Sequence, residues 1–135
     1  MLPTMSIRRV FTGAEWEKKV GYCRAVANGP FVAISGTAPV NPGGGTHAPG
    51  DPYAQAARCL EIIDGALREL GLDRTAIIRT RMFVTDISVW AEFGRAHAAY
   101  FGDCPPATSM VEVKSLIARD ILIEIEADAI VPEAA

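Results

Sequence analysis

The stretch Ile121-Leu122-Ile123-Glu124-Ile125-Glu126-Ala127-Asp128-Ala129-Ile130 alternates between apolar and largely acidic positions. Side chains two residues apart on a strand share a face, so Ile121, Ile123, Ile125, Ala127 and Ala129 form one apolar row, with Leu122, Glu124, Glu126 and Asp128 on the opposite side. Such a strand belongs in a sheet with one face covered by apolar structure and one face more polar.

The cover is found upstream. Asp51-Pro52 opens a helix, because aspartate accepts bonds from the free amides of the first turn and proline at the first helical position has no amide to waste. Gly71 closes it, and between them Ala56, Cys59, Leu60, Ile63, Ala66, Leu67 and Leu70 recur at helical spacing while Glu61, Asp64, Arg68 and Glu69 take the other side. Residues 77–84 read as a strand in which Arg79 and Arg81 alternate with Ile78, Thr80 and Met82. Asp86 or Ser88 then caps a second helix with Trp90, Phe93, Ala96, His97 and Tyr100 on one stripe, ending near Gly102. Asp103-Cys104-Pro105-Pro106 is a rigid link into a strand over 108–113.

The first third predicts a β-meander, with strands over 7–11, 15–20, 23–27 and 31–35 broken at Thr12-Gly13 and Asn28-Gly29-Pro30. Residues 41–50, rich in glycine and proline, read as a flexible surface loop. The sum is one α+β domain with two helices on one face of a sheet. The second face also needs partial cover, as Phe31-Val32-Ala33-Ile34 indicates, so a homo-oligomer packed through its sheets is expected.

Composition narrows the function. The chain has 135 residues, half of them hydrophobic and 21% charged, with a net charge of -3 and no run of lysine or arginine. The electrostatic footprint of phosphate binding is missing, so no nucleic-acid partner is expected. The N-terminus lacks an apolar leader and no segment approaches the ~20 apolar residues of a membrane span, which points to a cytoplasmic protein. Cys23, Cys59 and Cys104 fit reduced thiols better than a disulfide framework or a zinc motif, and His47 and His97 lack ligand spacing, so no metal is expected. Dinucleotide, Walker and Gly-x-Ser-x-Gly motifs are absent, and no cofactor is expected either.

The strongest chemical candidates are Glu124 and Glu126, which project from the same strand face; a carboxylate in a partly buried cleft can orient water or move a proton. Arg79 and Arg81 show the same spacing and can pair with them across the sheet, a reading that suits Glu126 better than Glu124. His97 reads as a satisfied core histidine, His47 as a mobile loop residue and Cys59 as a packing thiol. Ser35-Gly36-Thr37 closes an apolar strand where backbone amides can approach a ligand.

In order along the chain, Gly21-Tyr22, Phe31-Val32-Ala33-Ile34-Ser35-Gly36, Pro39-Val40-Asn41-Pro42, Met82-Phe83-Val84-Thr85-Asp86, Pro106-Ala107-Thr108-Ser109-Met110-Val111-Glu112-Val113 and Ile123-Glu124-Ile125-Glu126-Ala127 resemble the Rid family, also called the YjgF family. The resemblance runs from about Tyr22 to Val131. It implies a chorismate-mutase-like α+β fold, a homotrimer whose sheets form a central barrel, and a ligand cleft at each subunit interface. Deaminase-type members hydrolyse reactive enamines and imines to keto acids and ammonia without metal or cofactor. Carried over by position, the resemblance implies that Tyr22 walls the cleft, that backbone near Ser35 and within Thr108 to Met110 holds the small-molecule ligand, and that Glu124 positions the attacking water.

One departure stands out. Where those deaminases carry an arginine for the substrate carboxylate, this chain has Thr108, which offers neither charge nor a bidentate fork. Losing such a contact costs about 2–5 kcal/mol when the partner charge stays buried, so weak action on carboxylated imines is expected. Gly94 also stands where many relatives have asparagine. Arg24, two residues from Tyr22, offers a substitute anchor, although a solvated arginine is the simpler reading. Three functions follow: an imine or enamine hydrolase, a ligand-binding trimer without catalysis, and, least supported by the charge, an endoribonuclease.

Overall fold

A computed structural model describes residues 6–133. Six strands form one mixed sheet: β1 (Arg8–Val10), β2 (Ala25–Asn28), β3 (Phe31–Thr37), β4 (Ile77–Val84), β5 (Ala107–Glu112) and β6 (Ile123–Ile130), in the order β1-β2-β3-β6-β4-β5. The neighbours are antiparallel except β4 and β5, which run parallel and are joined by a helical crossover. β1, β2 and β3 make a meander of three strands, one fewer than the sequence leads one to expect. β6 is central, between β3 and β4.

Three helices accompany the sheet: α1 (Glu15–Val20), α2 (Pro52–Glu69) and α3 (Trp90–Phe101). α2 begins as the sequence predicts, with the Asp51 carboxylate accepting from the Ala54 amide at 3.0 Å. Asp86 caps a short 3-10 turn, Ile87–Val89, and α3 follows it and stops at Gly102. The stripes of α2 and α3 and the apolar row of β6 build the core, in which Leu60, Ile63, Leu67, Phe93, Phe101, Ile123 and Ile125 are at most 1% exposed. Each such side chain contributes about 1.5–3 kcal/mol of burial. No helix among the described residues is long and apolar enough to cross a membrane.

Residues 15–20 are a helix, not the expected strand. Glu15 and Glu17 open it, Lys18 and Lys19 close it, and Gly21 ends it with a φ of 87° that other residues seldom adopt. The Glu15–Lys19 ion pair at 2.9 Å lies one helical turn apart. Burial runs against hydropathy here, because Val20 is exposed while Glu17 is buried. The loop at 41–50 is also better organised than its composition suggests. Val40 pairs with Thr46, the Asn41 amide bonds Gly45 O, and the His47 ring contacts Asn41 Oδ1 at 3.1 Å. His47 is thus tied to its own loop.

Candidate active site

β3 carries a bulge between Ile34 and Thr37 opposite β6, where the two residues Ser35 and Gly36 stand against the single residue Glu126. The bulge lets the Glu124 side chain lie against the backbone: a Cβ built on Gly36 would sit 2.9 Å from Glu124 Oε1 and 3.0 Å from its Cδ. No other residue type leaves that space open. Glu124 is half-buried and accepts no hydrogen bond from another described residue. Burial holds its carboxyl above the ordinary glutamate range; the positive charge of Arg24 opposes that shift and the neighbouring Glu126 adds to it. A carboxyl with a raised pKa and a free coordination sphere is equipped to take or give a proton.

Arg24 organises this corner. It is 5% exposed, so the solvated reading fails, and the physical reason is Glu17, whose carboxylate lies 3.5 Å from Nη2. Nη1 donates to Gly36 O at 2.7 Å and to Thr37 Oγ1 at 3.0 Å, while Nη2 reaches Tyr22 Oη at 3.4 Å and the guanidinium sits over the Tyr22 ring. Glu17 also accepts from the amides of Thr12 and Gly13 and from the Thr12 hydroxyl. Ser35 Oγ donates to Cys23 O at 2.7 Å and its amide to Arg24 O, so its polar groups serve the bulge. Tyr22, Arg24, Ser35 and Glu124 therefore belong to one corner of the chain.

Thr108 and Met110 lie elsewhere. Strand register pairs Thr80 with both Ala127 and Thr108, and Met82 with both Ile125 and Met110, which puts Thr108 and Met110 on the helix-covered side of the sheet. Phe83 pairs with both Glu124 and Val111, and that row faces the other way. A single chain thus presents Glu124 and Thr108 from opposite faces. β5 is an edge strand, and Thr108 is exposed on it while its hydroxyl shares a hydrogen bond with Thr80 Oγ1 at 2.7 Å.

The remaining candidates fall as the residue patterns predict. Arg81 pairs with Glu126 at 3.2 Å and with Asp128 at 3.1 Å, leaving Glu124 outside the ion pairs. Cys59 is fully buried, and burial, reinforced by the Glu124 charge, pushes its thiol far up, so it is a packing group. His97 is buried with Nε2 2.8 Å from Thr80 Oγ1. Two hollows of about 320 and 650 Å³ flank Phe11, one toward α2 and one toward α1, and Glu124 lines neither.

A family profile described as Endoribonuclease L-PSP matches residues 12–131, nearly the whole chain. The chain belongs to the Rid (YjgF) family. Among solved Rid structures, a YjgF-family protein of Mycobacterium tuberculosis superposes with a TM-score of 0.85 at 45% identity, covering 93% of this chain and 100% of that one. The YjgF gene product of Escherichia coli gives 0.77 at 31%, covering 96% and 98%. Among Rid sequences, the chain is similar to the 2-iminobutanoate/2-iminopropanoate deaminase of Escherichia coli, 36% identical over 112 residues, 81% of this chain and 86% of that one. It is also similar to an uncharacterized protein of Streptomyces coelicolor, 33% identical with 92% of each chain covered. The mixed sheet is the Rid fold, with three helices where the sequence reading expects two; it is an open sheet in the single chain.

Three residues around the candidate positions escape a reading by motif. Glu17 is concealed because it sits in a helix misread as a strand. Thr80 is one hydroxyl in an otherwise ordinary strand. Gly36 is visible only as part of a strand end, and its necessity appears when Glu124 is placed beside it.

Proposed function

We propose that this Rid protein hydrolyses small imines or enamines, releasing ammonia and a carbonyl compound, with Glu124 orienting the attacking water. The observation that carries this reading is the Glu124 carboxyl itself. It is half-buried, unpaired, raised in pKa by burial, and lodged against the Gly36 bulge beside Arg24 and Tyr22. An imine carbon is already electrophilic, so the protein has only to hold it, place a water and manage protons. Carboxyl-form Glu124 can protonate the departing amine, and carboxylate-form Glu124 can draw the proton from water. The similarity to the named deaminase supports the same chemistry.

The reading includes a homotrimer with its clefts between subunits. Glu124 and Thr108 leave one chain from opposite faces, so a cleft holding both draws them from two copies. The open face bears Phe31 at 66% exposure and Val111 at 47%, apolar surface that a second copy would cover. Light scattering of the purified protein should give three times the chain mass.

Thr108 sets the substrate class. Lacking an arginine there, the cleft favours imines without a carboxylate. The test measures ammonia release from freshly generated short-chain imines, with and without a carboxylate, for the unmodified protein, Thr108→Arg and Glu124→Ala. Glu124→Ala should lose about 100-fold or more, the usual worth of a positioned acid or base. Thr108→Arg should gain on 2-iminopropanoate. Rapid turnover of that anion by the unmodified protein, or full activity of Glu124→Ala, would sink the proposal. A second reading, a binding trimer without catalysis, draws on the same threonine and is favoured if only Thr108→Arg releases ammonia.

A further inference from the structure

A line of three side chains runs from the core to the edge of the sheet. His97, on α3, is 8% exposed and lies with Nε2 2.8 Å from Thr80 Oγ1. Thr80, fully buried on β4, has its Oγ1 2.7 Å from Thr108 Oγ1 on β5. A hydroxyl has one proton to give. Where Thr80 gives its proton to Thr108, its bond to His97 runs the other way, from the imidazole Nε2–H to Thr80 Oγ1; the reverse order, with Thr108 donating to Thr80 and Thr80 to the ring nitrogen, needs the ring proton on Nδ1. The first order requires the ring to be protonated at Nε2. In that order Thr108 accepts inside the protein, and its own proton has no acceptor among the described residues.

We propose that His97 and Thr80 are positioning residues that hold the Thr108 hydroxyl as a hydrogen-bond donor toward an uncharged acceptor, a carbonyl, amide or ester oxygen of the ligand. This deepens, and rests on, the reading of the cleft given above. A single neutral donor satisfies one carbonyl oxygen. It is a poor match for a carboxylate, which brings a full charge and two oxygens that need partners once removed from water. Arg24, the buried guanidinium of the site corner, is already engaged by Glu17, Gly36 and Thr37. Burial also lowers the His97 pKa, consistent with a neutral ring, and the ring packs against Phe101 at 4.5 Å between centroids, which limits its rotation.

The test uses pyruvamide and pyruvate, matched in shape and differing in charge, titrated by NMR into the unmodified protein, Thr80→Val and Thr80→Ser. The unmodified protein should bind pyruvamide more tightly than pyruvate. Thr80→Val keeps the volume but cannot relay a bond, and should weaken pyruvamide binding about tenfold, the equivalent of ~1.4 kcal/mol, with pyruvate little changed. Thr80→Ser should restore it. Imidazole ¹⁵N spectra of the unmodified protein should place the His97 proton on Nε2, a readout that does not depend on any variant folding. A proton on Nδ1 overturns the donor assignment. Equal pyruvamide binding by Thr80→Val overturns the relay while leaving the cleft reading intact. Failure of the unmodified protein to bind either probe removes the cleft reading, and the relay's role falls with it.

Discussion

Gly36→Ala separates the geometry of the site from the stability of the fold. The added methyl would sit 2.9 Å from Glu124 Oε1, against the 3.4 Å at which ordinary contact begins, so the carboxyl has to retreat by about 0.5 Å. What yields is the end of a flexible side chain, and the Gly36 backbone is not in the left-handed region, so the fold need not move. Unfolding in urea should therefore shift by less than about 1 kcal/mol. Catalysis is less forgiving, since a displacement near 1 Å can cost about 100-fold, and half that distance should cost roughly tenfold in ammonia release. The paired assay is a denaturation curve and a turnover rate on one preparation. Full activity with the extra methyl would refute the idea that the close approach of Glu124 to the bulge matters. A stability loss above about 2 kcal/mol would show that the bulge, rather than the carboxyl, absorbs the strain.

Two further outcomes follow from the charges of the site. Burial raises the Glu124 pKa, so the folded protein binds that proton more tightly than the unfolded chain does; the stability gained is full below the unfolded-state value and is lost as pH rises through the folded one. Glu124→Gln should then equal the unmodified protein in stability at acidic pH and exceed it near neutrality, while the proposed water activation by the carboxylate should make the unmodified protein's rate climb with pH through a midpoint above the ordinary glutamate value. A midpoint at or below that value, or a Gln variant less stable at neutral pH, contradicts the assignment. Arg24→Met leaves Glu17 buried with only the Thr12 and Gly13 groups for company, and should cost about 3 kcal/mol in chemical denaturation. A loss under ~1 kcal/mol would show that the pair is not holding this corner.

The parts of the fold that were legible are those whose signals are local. Asp51-Pro52, the stripe from Ala56 to Leu70 and Gly71 each state helix in their own terms, and β6 states its faces through strict alternation. α1 is hidden in the sequence because its hydropathy misleads: Trp16 and Val20 are left exposed while Glu17 turns inward to serve amides before the helix and a guanidinium after it. The burial of Arg24 is hidden for the same reason, since its counter-charge sits on that helix. For the site, Glu124 could be singled out from its strand face and from the family pattern. That Glu126 is engaged by Arg81 and Glu124 is not depends on the side chains' reach across the sheet, which spacing alone leaves open. Nor does sequence order reveal that Thr108 and Glu124 leave one chain from opposite faces; only the pairing of β4 with both β5 and β6 does so.

The central place of β6 has a bearing on how the protein is made. A chain emerging from the ribosome delivers β1, β2 and β3, then α2, β4, α3 and β5, before the strand that joins the two halves of the sheet appears. Until then β3 and β4 each present an unpaired inner edge, the kind of surface that invites association between nascent chains. The pairing that resolves this links residues 31–37 with 123–130, a long-range closure of the kind that slows folding. Glu124 arrives with that same strand, so the carboxyl enters its place beside Gly36 only as the sheet is completed.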